Sequence, residues 1–467
     1  MSTRGFVPRV LTGAAPHGAP YAPAPLSAAR EPGMELATSS LSLRSNFAWI
    51  LTGNVVYAAC QWGAIVALAK LGSSFMVGQF SLGLAIATPV LMFTNLHLRA
   101  VQATDARRLY SFREYLRLRT ALTMVGLMVI LCIACFGNYQ RQTAMVILAV
   151  ALAKGIETLS DIHYGLFQLN DRLDQSGKSM MLRGTLSVVA LSTALYVTRG
   201  VLWGCVGLAL VWLAALLLFD VRRGRRFAAG CQRFSQPTRL GRPWDLMRTA
   251  LPLGIATTMA ALNLNMPRYF IHARLGERQL GIYSAMAYTT VAMILVSDSL
   301  GHCAIPRLSR LYSADRLAEY RSLLLRLLAA GLLLGIAGLA VARFLGARLL
   351  TIVYGNEYAA HSQVFRVLIL ATAIYCLACM FTSAITAARC FRIQVPLYAL
   401  VVGSNALACA LWVPTAGLAG GAAAMVVAAM VQLVLGAVVV VSLLWAYAKR
   451  PAYFRESRPY GDDLEAS

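Results

Sequence analysis

Between Asn46 and Tyr447 the chain is a succession of apolar runs, each about twenty residues long and separated by glycine, proline or clustered bases. A run of that length matches the hydrocarbon thickness of a bilayer, where a helix satisfies its own backbone hydrogen bonds. The pattern predicts an all-α, polytopic membrane protein of about twelve transmembrane helices. The spans fall near 46–70, 76–98, 118–136, 142–163, 183–200, 201–220, 249–272, 280–302, 321–342, 361–387, 395–413 and 416–447. Composition agrees: 58% of residues are hydrophobic, 13% are charged and mean hydropathy is +0.64, more apolar surface than a soluble chain of 467 residues hides.

The chain repeats itself once at long range. KLGSSFMVGQFS from Lys70 is matched by RLGERQLGIYS from Arg274, and Leu109-Tyr110-Ser111 is matched by Leu311-Tyr312-Ser313. The offset of roughly two hundred residues is about half the apolar chain and points to duplication. Six spans per half return the chain to its starting side, so the halves are predicted to be parallel six-helix lobes with a cleft between them. The lobes are expected over 42–220 and 249–447, joined by a basic cytoplasmic linker at 221–248 that carries Pro237 and Pro243. A Pro/Ala-rich disordered tail is expected over 1–41 and a cytoplasmic tail over 448–467.

The net charge of +23 belongs to topology rather than to nucleic acid. With the N-terminus cytoplasmic, roughly three quarters of the bases fall on that side, among them Arg107, Arg108, Arg113, Arg117, Arg119, Arg222, Arg223, Arg225 and Arg226. Both termini are therefore expected in the cytoplasm, with the basic segments against anionic lipid. Gly177-Lys178-Ser179 lacks the first glycine of a P-loop, Arg172 standing there, and follows no strand. No nucleophile elbow, zinc-protease motif or loop of catalytic-domain size is present, and the Cys132/Cys135 and Cys376/Cys379 pairs lack polar neighbours suited to a metal. The chain reads as a transporter, not an enzyme, with no cofactor and no metal.

Charged groups inside a membrane cost roughly 2.5 to 3.5 kcal/mol each at mid-bilayer and need a reason. Lys154, Glu157 and Asp161 share one face of the fourth span. Either the first two neutralise each other while Asp161 is hydrated, or all three line a lumen. In the seventh span Pro267 has no amide for the carbonyl of Asn263, so a bend is expected there, with Asn263, Asn265 and Arg268 around it. Arg268 is then an interfacial anchor or part of a substrate-facing broken helix. Pro89 offers a similar bend in the second span, followed by Asn95, His97 and Arg99. Asp298 with His302, Arg366 near the start of the tenth span, and Asn54 with Gln61 on one face of the first complete the polar set; helix–helix hydrogen bonding is the plainer account of the last pair. Gly331 and Gly335 read as close helix packing.

The run KLGSSFMVGQFSLGLAIATPVLMFTNLHLRAVQATDARRLYSFREYLRLR, with PLGIATTMAALNLNMPRYFIHARLGERQLGIYSA, resembles the polysaccharide-transporter flippases of the multidrug, oligosaccharidyl-lipid and polysaccharide exporter (MOP) superfamily, including the Wzx-type O-antigen flippases. The similarity runs from about Ser42 to Tyr447. Family members usually begin just before the first span, which makes Met34 an alternative start. The resemblance implies a V-shaped bundle in a bacterial inner membrane, moving polyprenyl-pyrophosphate-linked glycan from the cytoplasmic to the periplasmic leaflet. It implies a cationic lumen for the headgroup, with Arg99, Lys154, Arg268 and Arg366 as candidates, and coupling to protons or sodium ions through Glu157, Asp161 or Asp298. Polysaccharide polymerase or glycosyltransferases are the implied protein partners. The competing readings are an ion-coupled multidrug exporter of the same fold and a non-transporting scaffold for glycosyltransferases. A cationic drug would favour a lumen dominated by carboxylates, whereas bases here equal or exceed acids.

Overall fold

Serines start the first helices and glycines end or break several, and both work through the backbone. In the computed structural model the described residues are 42–104, 110–232, 243–388 and 390–448, and all regular secondary structure among them is helical. The two expected tails, Leu109 of the first Leu-Tyr-Ser element and Arg107 and Arg108 lie outside the described residues, apart from Ala448. Ser42 caps α1 (Leu43–Leu71) and Ser73 caps α2 (Ser74–Asn95), each side chain accepting from an orphan amide of the first turn. Leu96 and His97 adopt left-handed φ of 46° and 53°, which stops α2 and redirects the chain into α3 (Leu98–Thr104). A capping box between Ser111 and Glu114 opens α4 (Phe112–Phe136).

The chain continues through α5 (Arg141–Leu169), α6 (Leu173–Thr198) and α7 (Val201–Ala215), which runs by one π-helical turn at Leu216–Val221 into α8 (Arg222–Gln232). After the undescribed 233–242 come α9 (Pro243–Thr289), α10 (Val291–Ser313), α11 (Leu317–Phe344), the short α12 (Gly346–Val353) and α13 (Asn356–Ala359), α14 (Ser362–Ala387) and α15 (Phe391–Ala448). Among the described residues ten helices are long and apolar enough to cross a membrane. One of them, Ile393–Trp445, has 53 residues and is broken into two legs at Gly417. The 47-residue α9 is not among the ten, and it too is broken, at Gly276. This is a polytopic all-α membrane protein.

The structure shifts several expected boundaries. The fifth span begins at Leu173 rather than 183, and helix fills 222–232 and 243–248 of the expected linker. Polar and basic residues at these ends lower hydropathy without ending the helix, because Lys and Arg stems still pack along apolar surface. The backbone also stays helical through Pro89 and Pro267; the interruptions come at Leu96–His97 and at Gly276, whose φ of 81° suits glycine. Each proline leaves a carbonyl without its amide, and each carbonyl finds another donor. Tyr269 Oη donates to Ala85 O, and Asn405 Nδ2 donates to Asn263 O at 2.9 Å.

Neighbouring helices pair mainly as α1 with α6, α5 with α2, α4 and α7, α14 with α10, α11 and α15, and α9 with α15. Extensive packing of α2 against α9 joins the two repeats. The glycines of the repeat meet there. A Cβ on Gly78 would lie 1.8 Å from the Glu277 carbonyl, and one on Gly281 would lie 1.7 Å from that of Ser74. Only glycine lets these backbones approach so closely. Beside them Glu357 of α13 accepts from Ser74 Oγ at 3.0 Å and from Arg278 Nε at 2.9 Å. Trp62 Nε1 donates to Tyr354 Oη at 2.8 Å. The two repeats are thus closed upon each other at the end that carries Gly72 and Gly276. Gly335 meets Ala373 in the same way where α11 packs on α14.

Candidate functional site

The face of α5 that carries Lys154, Glu157 and Asp161 borders a cavity of about 560 Å³. α2, the link after it and α3 contribute Asn95, His97 and Arg99, α4 contributes Arg119, α6 contributes Arg183, and Thr257 of α9 brings in the second repeat. The charges form two linked groups. Asp161 receives Arg99 Nη1 at 3.1 Å and Arg119 Nη2 at 2.6 Å. Glu157 receives Lys154 Nζ at 2.7 Å, Tyr57 Oη at 2.5 Å and Arg183 Nη2 at 3.5 Å. Four bases therefore face two carboxylates, and the lining carries an excess of positive charge.

The bases are not equivalent. Arg119 is buried and also donates to Thr158 O at 3.0 Å and Asn95 O at 2.9 Å, so its guanidinium is committed to holding α2, α4 and α5 together. Arg183 is equally buried, yet its Nε and Nη1 have no partner. Its guanidinium lies 5.1 to 5.7 Å from the ring centres of Tyr57, Trp212 and Tyr164. Desolvated cation–π contacts are worth about 2 kcal/mol each, which is how a cation persists at this depth. Arg99 and Lys154 are partly exposed, with accessibilities of 29% and 23%.

A second cavity of about 250 Å³ lies between α2, α9, α10, α14 and α15. It contains Asn263, Asn265, Arg268, Tyr288, Tyr375 and Gln432, and Thr88 lines both cavities. Arg268 Nη1 donates to Asn265 Oδ1 at 2.5 Å, and the guanidinium sits 5.3 Å from the centre of the Tyr288 ring.

Of the residues singled out in the sequence, the structure brings Arg99, Lys154, Glu157 and Asp161 into the first cavity and Asn263 and Arg268 into the second. Asn95 and His97 also line the first and Asn265 the second, whereas the remaining candidates line neither. Arg366 is exposed and lines neither cavity. Asp298 accepts from Cys379 Sγ at 3.2 Å and lines neither cavity, although it sits beside Tyr375, which lines the second. Asn54, Gln61, Pro89 and Pro267 border neither. Arg119, Arg183, Tyr57, Tyr164 and Trp212 were missed as site residues. Arg119 reads as one more interfacial base, and Arg183 stands at the edge of the expected fifth span. Starting that helix at Leu173 puts Arg183 ten residues inside, which is the signal that would have found it.

The fold defines the class of protein. An inward-facing multidrug-resistance MATE transporter of the MOP superfamily superposes with a TM-score of 0.67 at 13% identity, covering 86% of this chain and 100% of that one. A MOP transporter from Pyrococcus furiosus gives 0.61 at 15% identity, covering 86% and 95%. The chain has the MOP transporter fold. Residues 43–312, more than half of the sequence, match the family described as "Polysaccharide biosynthesis protein", and the chain belongs to that family. It is 25% identical over 327 residues to the capsular polysaccharide biosynthesis protein CapF of Staphylococcus aureus, covering 69% of this chain and 80% of CapF. Family and fold together make it a member of the polysaccharide biosynthesis protein family with the fold of the solved MOP transporters.

Proposed function

We propose that the protein is a flippase that carries polyprenyl-diphosphate-linked glycan across a bacterial inner membrane by alternating access between two six-helix lobes. The observation that carries this reading is the first cavity, where four bases outnumber two carboxylates and both repeats contribute to the wall. A diphosphate carries about two negative charges, and a guanidinium-rich pocket out of bulk water is the chemistry that holds it. Arg99 and Lys154, the most accessible bases, meet the headgroup, while Arg183 and Arg119 set the potential. The polyprenyl tail stays in lipid.

The basic segments at Arg113, Arg117, Arg222, Arg225 and Arg226 lie towards the opposite end of the bundle from the closed Gly72–Gly276 end, which supports a cavity that opens to the cytoplasm with both termini there. Anionic lipid meets those segments. With the cytoplasm negative by about 100 mV, outward movement of two negative charges gains about 4.6 kcal/mol, so export needs no nucleotide. Glu157 and Asp161 are the groups suited to ion coupling, because a proton or sodium ion on either would loosen its hold on two bases. Glycosyltransferases and a polymerase would supply and consume the cargo. A multidrug exporter of cationic compounds fits poorly, since the cavity repels them.

The test is transbilayer movement in proteoliposomes of a fluorescent farnesyl diphosphate bearing one N-acetylhexosamine. Protein-dependent movement that slows at least tenfold in Arg99→Gln is expected; equal rates with and without protein would overturn the proposal.

A further inference from the structure

The second cavity differs from the first in one chemical respect: its lining holds a single cation, Arg268, and no carboxylate. Arg268 forms no ion pair among the described residues, and its Nε has no hydrogen-bond partner. The neighbours that hold it, Asn265 and the Tyr288 ring, orient the guanidinium without neutralising it. A base without a counter-charge in a partly desolvated cavity is costly unless a ligand brings an anion. The rest of the lining is amide, phenol and hydroxyl, from Asn263, Tyr375, Thr372 and Gln432. Such groups recognise sugar hydroxyls and the flat apolar faces of pyranose rings. Thr88 borders both cavities, so a sugar attached to a diphosphate in the first lies on the side of the second.

We propose that the second cavity is the glycan subsite of the flippase, and that Arg268 there selects a sugar bearing a carboxylate. This rests on the headgroup reading of the first cavity. A planar carboxylate matches two parallel N–H donors of a guanidinium, and the buried Arg268 Nε has no hydrogen-bond partner of its own within the protein. The proposal assigns the two repeats different tasks: the first reads charge common to all lipid-diphosphate carriers, and the second reads the cargo.

The experiment measures binding to the purified protein in nanodiscs with three probes: farnesyl diphosphate, the same lipid bearing a neutral hexose, and the same lipid bearing the corresponding hexuronic acid. The wild type is expected to prefer the hexuronic acid over the hexose at least tenfold. Arg268→Gln should reduce that preference to within twofold, Arg268→Lys should keep part of it, and Gln432→Leu should weaken both sugar probes relative to farnesyl diphosphate. Equal affinity of the wild type for hexose and hexuronic acid overturns the proposal. So does an Arg268→Gln protein that loses farnesyl diphosphate as strongly as the sugar probes, since Arg268 would then be a headgroup residue. A wild type that ignores farnesyl diphosphate but keeps the acid preference sinks the headgroup reading alone; loss of both sinks both.

Discussion

The hydroxyl of Tyr269 donates to the carbonyl oxygen of Ala85, the acceptor that Pro89 leaves without an amide. The bond crosses from the second repeat to the first, so a local defect in α2 becomes a link between the halves. Leaving that carbonyl unpaired in an apolar interior costs about 1–3 kcal/mol. Tyr269→Phe is expected to lower the thermal unfolding midpoint in nanodiscs accordingly. Pro89→Ala restores an amide four residues from Ala85, and in that background Tyr269→Phe should cost markedly less. Additive losses in the double variant would show that the two residues do not share the acceptor.

Arg119 and Arg99 both reach Asp161, yet they should behave differently. Arg119 is buried and makes two further bonds to backbone carbonyls; Arg99 is partly exposed in the cavity. Removing one partner of a buried pair costs about 3–5 kcal/mol, against up to about 1 kcal/mol for an accessible one. Arg119→Leu is therefore expected to unfold at much lower temperature, whereas Arg99→Gln keeps its stability and loses affinity for farnesyl diphosphate. Similar melting curves for the two variants would contradict this division.

Glu157 holds Lys154, Arg183 and Tyr57. Glu157→Gln removes one negative charge from the cavity wall and frees a base, so farnesyl diphosphate should bind roughly tenfold more tightly at low salt, equivalent to about 1.4 kcal/mol. The gain should shrink as ionic strength rises. Translocation is expected to slow because release weakens. Calorimetric titration at two salt concentrations, beside a flipping assay, checks both parts; weaker binding at low salt would refute the charge argument.

Gly281 and Gly78 permit contact between the repeats that a side chain forbids, since an added Cβ would fall within 2 Å of a carbonyl oxygen on the other helix of the interface. Gly281→Val is expected to hold that end of the molecule apart. Spin labels at Leu71 and Ala273, both exposed near this end, should report a longer distance in the variant than in the wild type. An unchanged distance distribution would mean that the interface repacks around the new side chain.

Much of this organisation was legible before any coordinates. The long-range repeat, with its Leu-Gly pairs at Gly72 and Gly276, and the shared face of Lys154, Glu157 and Asp161 follow from the order and spacing of residues along the chain. At Pro267 the backbone keeps helical dihedrals for an instructive reason. The proline removes a bond, but Asn405 from α15 supplies another to Asn263, and the helix has no need to open.

What the sequence by itself determined was the all-α membrane class and the α5 face, because helix periodicity and bilayer thickness act over a few turns of one segment. The tertiary structure alone decided that Arg119 and Arg183 join that face, that Arg366 and Asp298 do not, and that Arg268 occupies a cavity of its own. These outcomes depend on how neighbouring helices are rotated about their axes, and that is set by packing of the glycine and aromatic contacts between segments far apart in the chain.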